Sequence, residues 1–233
     1  MRKLSIIIPV YNERENLVNV IELVKKAHTL DFEKEIIVVD DFSTDGSREL
    51  LKNIEGIKAI YSERNGGKGN AVRLGLSAAS GDYILFQDAD FEYSTDNYKD
   101  LLQEVLNGHN VVFGSRALKD NERNYLVSAS DLVNSIFNLL FKTKITDVAT
   151  CYKVFPASYV PSMLLIKEND FVFDVIQVTK VLLQGGEHIK EVPIDYTPRN
   201  YAQGKKMRIR HGMRIASYAI IEGVKHRVAG LLR

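Results

Sequence analysis

The stretch Tyr83-Ile84-Leu85-Phe86-Gln87-Asp88-Ala89-Asp90 decides how the rest of the sequence is interpreted. Its apolar first half is typical of a buried strand, and two aspartates separated by one residue follow where the strand ends. Two carboxylates at this position are costly unless a cation lies between them, and a divalent metal bound through oxygen ligands is a suitable cation. Asp90 could instead cap a following turn, as Asp often does. Both interpretations stay open from this stretch alone.

The composition is that of an ordinary globular chain, with 233 residues, 45% of them hydrophobic and 26% charged. The formal net charge of +1 offers no argument for nucleic-acid binding. Cys151 is the single cysteine, which excludes an internal disulfide and fits a reducing compartment. No apolar run approaches the roughly 20 residues that span a bilayer. We therefore expect a cytoplasmic protein that can contact a membrane peripherally.

Strands alternate with helices over the first 115 residues. The predicted strands are 4–10, 35–40, 57–61, 83–87 and 110–113, and the helices between them start near 17, within 43–47, near 65 and near 97. This order predicts an α/β fold with a parallel sheet and helices on both faces. Ligands of such sheets bind outside the carboxyl ends of the strands. Polar clusters at 11–16, 40–45 and 88–92 all fall at such ends, which predicts one site at this rim.

The second half is less regular. It contains predicted helices at 128–140 and 171–183, a strand at 152–155 and an edge strand at 188–194 that includes a proline. A polar loop follows, and the last predicted element is a basic amphipathic helix that begins near residue 207. Without a repeat or a linker, one domain over 1–233 is the simplest organisation. Its expected parts are a first half at 1–115, a second half at 116–206 and a terminal helix at 207–233.

Three common nucleotide-binding motifs do not fit the sequence. A dinucleotide-binding domain needs glycines after its first strand, where this chain has Tyr11-Asn12-Glu13. A P-loop needs Ser or Thr after its lysine, but Lys68 is followed by Gly69. The glycine-rich, arginine-containing loop expected of a sugar nucleotidyltransferase is also missing after the first strand.

The motifs resemble those of the family 2 inverting glycosyltransferases, which have the GT-A fold. The matching segments of the first half are Ile8-Pro9-Val10-Tyr11-Asn12-Glu13, Val38 to Ser47, Asn65 to Ala71, Asp88 to Tyr93 and Gly114-Ser115-Arg116. The second half resembles the branch that contains dolichol-phosphate mannose synthase and other polyprenyl-phosphate glycosyltransferases. The residues that carry this likeness are Thr146-Asp147, Thr150 to Phe155, Glu191 to Ile194, Arg199 and Gly204-Lys205-Lys206.

The resemblance implies a nucleotide-sugar site at the strand ends, formed by Pro9, Tyr11, Glu13, Asp40, Asp41, Lys68, Asp88, Ala89 and Asp90. Tyr11 would stack on the base, and Asp41 or Asp40 would accept a hydrogen bond from a base N–H. Mg²⁺ or Mn²⁺ would be held against the diphosphate by Asp88, Asp90 and Glu92. The expected donor is a GDP- or UDP-linked hexose, mannose or glucose. The resemblance thus implies that 1–115 is the nucleotide-sugar half and that 116–206 is the acceptor half.

The expected acceptor is a polyprenyl phosphate, which is already ionised and needs only cationic positioning. Arg116 and Arg199 are the expected phosphate clamps, with Ser128 and Lys205 beside them. A sugar hydroxyl, as in a glycan acceptor, is the alternative, and it would need a general base, for which Asp174 is the candidate. The predicted catalytic residues are therefore Asp90, Arg116, Asp174 and Arg199.

The chain departs from the lipid-phosphate branch at two positions. Asn124 stands where that branch tends to have arginine, and Ile176 stands where it tends to have glutamate. Both acceptor classes therefore remain open, as does a nucleotide-sugar-binding module without catalysis. The terminal helix leaves two interpretations as well, because a basic amphipathic helix can lie on an anionic membrane or pack on its own domain.

Overall fold

The computed structural model describes residues 1–119, 125–186, 188–199 and 209–231, without the side chains at 125–130, 174, 177, 184, 209–210 and 226–231. The strands are β1 (Arg2–Val10), β2 (Phe32–Asp40), β3 (Lys58–Tyr61), β4 (Tyr83–Phe86), β5 (Val111–Ser115), β6 (Lys153–Pro156) and β7 (Ile189–Pro193). They form a seven-stranded sheet in the order β3-β2-β1-β4-β6-β5-β7.

Most neighbouring strands in this sheet are parallel. β1 pairs in parallel with β2 and β4, β2 with β3, and β5 with β7, whereas β6 runs antiparallel to both β4 and β5. The predicted α/β fold with a mostly parallel sheet is therefore confirmed. β7 lies at an edge, as its proline indicates, since Pro193 has no N–H to donate to a neighbouring strand.

The helices are α1 (Arg14–Lys26), α2 (Ser47–Leu51), α3 (Lys68–Ala78), α4 (Tyr98–Leu106), α5 (Tyr125–Phe141), α6 (Val160–Leu164), α7 (Val178–Gln184) and α8 (Ile209–Leu231). A π-helical stretch, Phe173–Gln177, leads directly into α7. α2 begins at Ser47, within the predicted helix-start segment 43–47, and Asp45 accepts the Ser47 N–H (3.0 Å). Ser43 and Asp45 also accept the N–H groups of Asn12 and Arg14 at the start of α1. The short helix α6 has no counterpart among the predicted elements.

Alternate residues of β2 pack into different layers. Ile37 and Val39 pack with Ala71 of α3, whereas Val38 between them belongs to the larger core cluster that includes Leu17 of α1. Successive side chains of a strand point to opposite faces. Helices therefore cover both faces of the sheet, as the continuous apolar runs of β1 and β2 predict.

α8 packs against α5. Gly223 lies so close to Leu140 that an added Cβ would be 2.4 Å from the leucine Cβ. Ile215 and Ala219 of α8 are buried. Among the described residues, no helix combines the length and the apolar character that crossing a membrane requires.

Candidate active site

The carboxyl ends of β1, β2 and β4 lie side by side, because β1 pairs with both other strands. Each strand is followed by a residue in the left-handed backbone region: Asn12, Phe42 and Phe91 have φ angles of 50°, 65° and 60°. This conformation costs about 1–2 kcal/mol for a residue with a Cβ, so the surrounding structure must hold it. The three turns bring the predicted polar clusters to one rim.

The loop after β1 is tied to the connection between β2 and α2. The backbone N–H of Asn12 donates to Ser43 Oγ (2.9 Å), and that of Glu13 donates to Ser47 Oγ (3.0 Å). The Tyr11 ring is 38% exposed at the rim, whereas Glu13 is buried. The loop therefore presents an aromatic face to solvent and a carboxylate to the interior of the site; Pro9, one of the predicted base-pocket residues, is partly buried at the end of β1.

The two aspartates at the end of β2 are engaged with protein groups. Asp40 accepts a hydrogen bond from Arg48 Nε (2.7 Å). Asp41 accepts one N–H from Gly66 (2.9 Å) on one oxygen and one from Gly67 (2.7 Å) on the other. Both side chains are almost fully buried. Asp40 therefore holds Arg48, and Asp41 holds the glycine loop (Gly66, Gly67 and Gly69), instead of presenting open hydrogen-bond acceptors at the rim.

The glycine loop positions a lysine. Gly67 has a φ of 85°, and an added Cβ would lie 2.4 Å from the carbonyl oxygen of Asn169. The N–H of Gly69 donates to that same oxygen (2.8 Å). With the loop held in this way, α3 begins at Lys68, whose Nζ lies 2.9 Å from Asp88 Oδ1. The loop thus places the Lys68 ammonium beside Asp88, the first aspartate after β4.

Asp88 and Asp90 experience opposite electrostatic surroundings. Burial alone would raise the pKa of Asp88, but the Lys68 ammonium beside it lowers that pKa below its ordinary value. Burial, Asp88 and Glu92 together raise the pKa of Asp90 to about 7, although Arg199 opposes this shift. The negative charge of Asp90 is therefore compensated less than that of Asp88, and groups with raised pKa values are frequent at functional sites.

One guanidinium, that of Arg199, lies among three carboxylates from two strand ends. Its Nη1 is 3.2 Å from Glu13 Oε2, and its Nη2 is 3.3 Å from Glu13 Oε1 and 2.9 Å from Asp90 Oδ2. Its Nε is 3.9 Å from Glu92 Oε1. The Arg199 side chain is 13% exposed. We call Glu13, Asp90 and Glu92 the carboxylate cage.

Glu92, predicted as a metal ligand, holds the segment after β7. Its carboxylate accepts hydrogen bonds from the Tyr196 hydroxyl (2.9 Å) and from the backbone N–H of Arg199 (2.8 Å). Within the described part of the chain, no group of three or more His, Cys, Asp or Glu side chains could by itself hold a metal ion. Mg²⁺ is commonly bound through one or two carboxylates plus substrate phosphates, a donor set that Asp90 fits. Asp90 Oδ1 also accepts the N–H of Glu92 (3.2 Å), which is the turn-capping contact that the sequence left open as an alternative.

Arg116 lies in an interior ion pair. Its Nε and Nη2 contact the two oxygens of Asp147 at 2.6 and 2.7 Å, and its guanidinium lies 4.9 Å from the centre of the Tyr196 ring. Burial opposes the charge, but Asp147 keeps the pKa of Arg116 well above its ordinary value. Two guanidinium donors of Arg116, the predicted phosphate clamp, are therefore bonded to a carboxylate of the protein itself.

Three contributors to this network have no role assigned from sequence: Tyr196, Asp147 and Glu191. Glu191 accepts the backbone N–H groups of Thr146 and Asp147 at 2.9–3.0 Å and so orients the partner of Arg116. Two of them, Asp147 and Glu191, belong to the motif residues that carry the family resemblance. Their presence there is the signal that could have marked them as site-supporting residues.

Several predicted residues fall outside the described side chains: Asn124, Ser128, Asp174 and Lys205. Ile176, at the second departure from the lipid-phosphate branch, is fully buried in the core. Ala89 is also buried, so its side chain packs inward between the two aspartates that flank it.

Comparison with known proteins identifies the family. The profile described as Glycosyl transferase family 2 matches residues 5–165. An undecaprenyl-phosphate 4-deoxy-4-formamido-L-arabinose transferase from Proteus mirabilis is 26% identical over 211 residues, covering 88% of this chain and 63% of the relative. Its namesake from Yersinia enterocolitica is 28% identical over 211 residues with the same coverage. The chain thus spans less than two thirds of the length of these relatives.

Solved structures with a similar fold include glucosyl-3-phosphoglycerate synthase from Mycobacterium tuberculosis. Its complex with Mn²⁺, UDP and glucosyl-3-phosphoglycerate superposes with a TM-score of 0.71 at 18% identity, covering 95% of this chain and 80% of that one. Its complex with Mn²⁺, UDP-glucose and phosphoglyceric acid gives the same TM-score and identity, with 95% and 79% covered. This likeness confirms the predicted GT-A fold.

The family match and the geometry concern the same part of the molecule. Residues 5–165 contain the three adjacent strand ends, the glycine loop and both aspartates after β4. The chain belongs to glycosyl transferase family 2.

Proposed function

We propose that this chain transfers a sugar from a nucleotide sugar to a polyprenyl phosphate, with inversion at the anomeric carbon. The observation that carries the proposal is the meeting of Glu13 and Asp90, from two adjacent strand ends, at one arginine of the acceptor half. Similarity over 88% of the chain to undecaprenyl-phosphate sugar transferases supports a lipid-phosphate acceptor.

The donor would bind along the rim formed by β1, β2 and β4. The exposed Tyr11 ring would stack on a nucleotide base, and Pro9 and Glu13 would line the same pocket. Asp41 would act through the glycine loop whose N–H groups it accepts, so its contribution is to position Lys68. Asp40, paired with Arg48, would support the same wall of the site.

Asp90 would hold the divalent cation, Mg²⁺ or Mn²⁺. When bound, such a cation neutralises charge on the nucleoside-diphosphate leaving group, an effect worth several kcal/mol. Asp88 stays ionised beside it because Lys68 lies 2.9 Å away. Glu92 would keep the segment carrying Arg199 against the rim through its bonds to Tyr196 and to the Arg199 N–H.

On the acceptor side, Arg199 is the described guanidinium nearest to the donor acids and would clamp the acceptor phosphate, together with Lys205 and Ser128. Arg116 would act as a positioning residue, because its fork is held by Asp147 and its face lies on Tyr196. A phosphate nucleophile needs no general base. Asp174 would matter only for a hydroxyl acceptor.

The surface of α8 opposite its buried face suits a lipid acceptor. Met213, Ile220 and Val224 are 62%, 47% and 50% exposed. They share one side of α8, because a helix with about 3.6 residues per turn returns to the same side after seven and eleven positions. Leu132 and Leu139 of α5 are also exposed. This apolar stripe, with the basic residues of α8 beside it, would rest on the membrane that carries the acceptor.

The test of the function is a transfer assay. Purified protein with Mn²⁺ is incubated with radiolabelled UDP- and GDP-linked sugars and with a polyprenyl phosphate, and the organic phase is counted. A labelled polyprenyl-phosphate sugar is the expected product. Product only with a soluble glycan acceptor would replace the proposal with hydroxyl transfer, and Asp174→Asn would then abolish turnover.

Membrane contact is tested by co-sedimentation with vesicles containing anionic phosphatidylglycerol. Ile220→Asn is expected to reduce the bound fraction. Leu165→Asn is the matched control, because Leu165 is an 81% exposed leucine outside the stripe. Equal binding of both variants would contradict this part of the proposal.

A further inference from the structure

Gln87 is a buried amide that directly precedes the two aspartates of the rim. It follows the last residue of β4 and is only 1% exposed. Burying an amide is costly unless its polar groups find hydrogen-bond partners inside the protein. The apolar residues of β4 carry no such cost, so the partners of Gln87 indicate what its amide contributes.

The Gln87 side chain joins the first aspartate to two buried tyrosines. Its Nε2 donates to the carbonyl oxygen of Asp88 (2.8 Å), and its Oε1 accepts the hydroxyl groups of Tyr98 (2.7 Å) and Tyr152 (2.8 Å). This orientation of the amide follows from its partners, because a carbonyl oxygen can only accept. Burial raises the pKa of both tyrosines well above the ordinary value, so both hydroxyls keep the protons that they donate.

Tyr152 connects the two ends of the acidic loop, which we define as residues 88–93. Its hydroxyl oxygen lies 2.8 Å from Gln87 Oε1, before the loop, and 3.1 Å from the carbonyl oxygen of Ser94, after the loop. Its ring packs on that of Tyr93, with 4.9 Å between the ring centres. A residue of the second half of the chain thus holds the base of a loop whose acids belong to the first half.

The acidic loop needs such support because part of its backbone is in an unfavourable conformation. Phe91 has a φ of 60°, a left-handed conformation that the surrounding structure must hold. The Phe91 side chain is 40% exposed, so its own packing supplies only part of that support. The bond from Gln87 to the Asp88 carbonyl fixes the peptide unit between Asp88 and Ala89, which sets the path of the chain toward Asp90.

We propose that Gln87 is a positioning residue for the two aspartates and is itself held by the hydroxyls of Tyr98 and Tyr152. This inference rests on the proposed function and adds to it the residues that fix the geometry of the donor site. A misplacement of about 1 Å far from the chemistry can cost about 100-fold in rate. Hydrogen bonds beneath the acidic loop can therefore decide how well Asp88 and Asp90 serve the cation and the diphosphate.

The experiment separates positioning from folding by comparing a single and a triple variant. Gln87→Met removes the amide and leaves the Tyr98 hydroxyl without its acceptor, so it should lose both thermal stability and donor affinity. Gln87→Met/Tyr98→Phe/Tyr152→Phe replaces all three bonded side chains with apolar ones, a change that can be nearly neutral for stability. Its unfolding midpoint should therefore return toward that of wild type.

Donor affinity should not return with it. Calorimetry measures the binding of Mn²⁺ with UDP or GDP, whichever nucleotide wild type binds more tightly, and the triple variant should stay about 10- to 100-fold weaker than wild type. Tyr152→Phe keeps the amide and removes one hydroxyl, so its affinity should lie between those of wild type and Gln87→Met. Tyr83→Phe is the matched control, because it removes a tyrosine hydroxyl at the other end of β4, and it should bind as wild type does.

Wild-type nucleotide affinity in Gln87→Met or in the triple variant would overturn the positioning role and leave the proposed function intact. A wild-type protein that binds Mn²⁺ and nucleotide but transfers no sugar to a polyprenyl phosphate would overturn the proposed function alone. A wild-type protein that binds neither nucleotide in the presence of Mn²⁺ would overturn both.

Discussion

Two carboxylates toward opposite ends of the sheet, Glu35 and Asp90, have pKa values shifted in opposite directions. Toward the amino ends, Glu35 of β2 accepts hydrogen bonds from the Ser5 hydroxyl and from Ser80 N–H (2.8 Å) and Oγ (2.7 Å). Burial would raise the pKa of Glu35, but these donors and Lys3 lower it to about 2. At the carboxyl ends, burial and neighbouring acids raise the pKa of Asp90 to about 7.

This difference distinguishes a carboxylate that stabilises the fold from one that we propose for function. Glu35 is a carboxylate whose hydrogen-bonding capacity is met by its own fold, so its charge stabilises the folded state. Asp90 is a largely buried carboxylate with Asp88 and Glu92 beside it, which raises its pKa, and we propose it as the group that binds the cation. The groups that stabilise the charge of Glu35 all come from the protein itself, whereas Asp90 at the rim has acids beside it that raise its pKa.

The largest expected effect is on turnover. Asp90→Asn removes the charge that would hold the cation and should lower kcat by about a thousandfold, since metal stabilisation of a leaving group is worth several kcal/mol. Glu35→Gln, at the other end of the sheet, should leave kcat within about twofold of wild type. The transfer assay measures both. An Asp90→Asn protein with near-normal turnover would remove Asp90 from the reaction.

Stability should show the next largest effect. The folded-state pKa of Glu35, about 2, lies below its ordinary value of 4.5, so its contribution is present above pH 4.5 and is lost as pH falls toward 2. Glu35→Gln should therefore lower the free energy of unfolding by about 2–3 kcal/mol at neutral pH, and the difference should shrink in acid. Urea unfolding across this range checks it. A difference independent of pH would mean that packing, not charge, explains the loss.

The opposite sign is expected at the rim. The folded-state pKa of Asp90, about 7, lies above its ordinary value of 3.8, so this group costs stability as pH rises from 3.8 to 7. In the presence of a chelator, Asp90→Asn should be more stable than wild type by about 1–2 kcal/mol above neutral pH, and no more stable in acid. Thermal unfolding at both pH values provides the measurement. A variant less stable than wild type at both would show that Asp90 already has its charge compensated.

The smallest effect is expected for Lys3→Met. Lys3 Nζ lies 3.4 Å from Glu35 Oε1, and its side chain is 32% exposed. Such partly exposed ion pairs typically contribute less than about 1 kcal/mol, so the loss in unfolding free energy should be well below that of Glu35→Gln. Repeating the urea titration in high salt separates screened charge from hydrogen bonding. Equal losses for the two variants would place the stabilisation of Glu35 in the ion pair rather than in Ser5 and Ser80.

Much of the fold follows from local patterns in the sequence. The apolar runs that become β1, β2 and β4 are continuous, as strands covered on both faces require, and the polar residues at their ends lie at the predicted rim. The partners of the residues before α2 were less predictable. Asp45 accepts the N–H of Ser47 at the start of α2, as a cap does, but Asp45 and Ser43 also accept the N–H groups of Arg14 and Asn12, 31 positions earlier in the chain.

Side-chain partners could not be predicted in the same way. The sequence predicts Arg116 and Arg199 as equivalent clamps, but Arg116 meets Asp147 while Arg199 meets Glu13 and Asp90. It predicts Asp40 and Asp41 as base-facing acids, but they meet Arg48 and the glycine loop. The members of each pair are the same residue type, and only the groups that surround them differ.

Hydrophobic periodicity and motif order, which are local properties, were sufficient to indicate the α/β fold, the rim and the family. The distribution of charge at the rim depends on contacts such as that between Glu13 and Arg199, which are 186 positions apart. Those two residues meet because β1 is central and the segment after β7 crosses back to it over Glu92. Strand order and chain path therefore decide which carboxylates at the rim meet an arginine and which have other acids beside them.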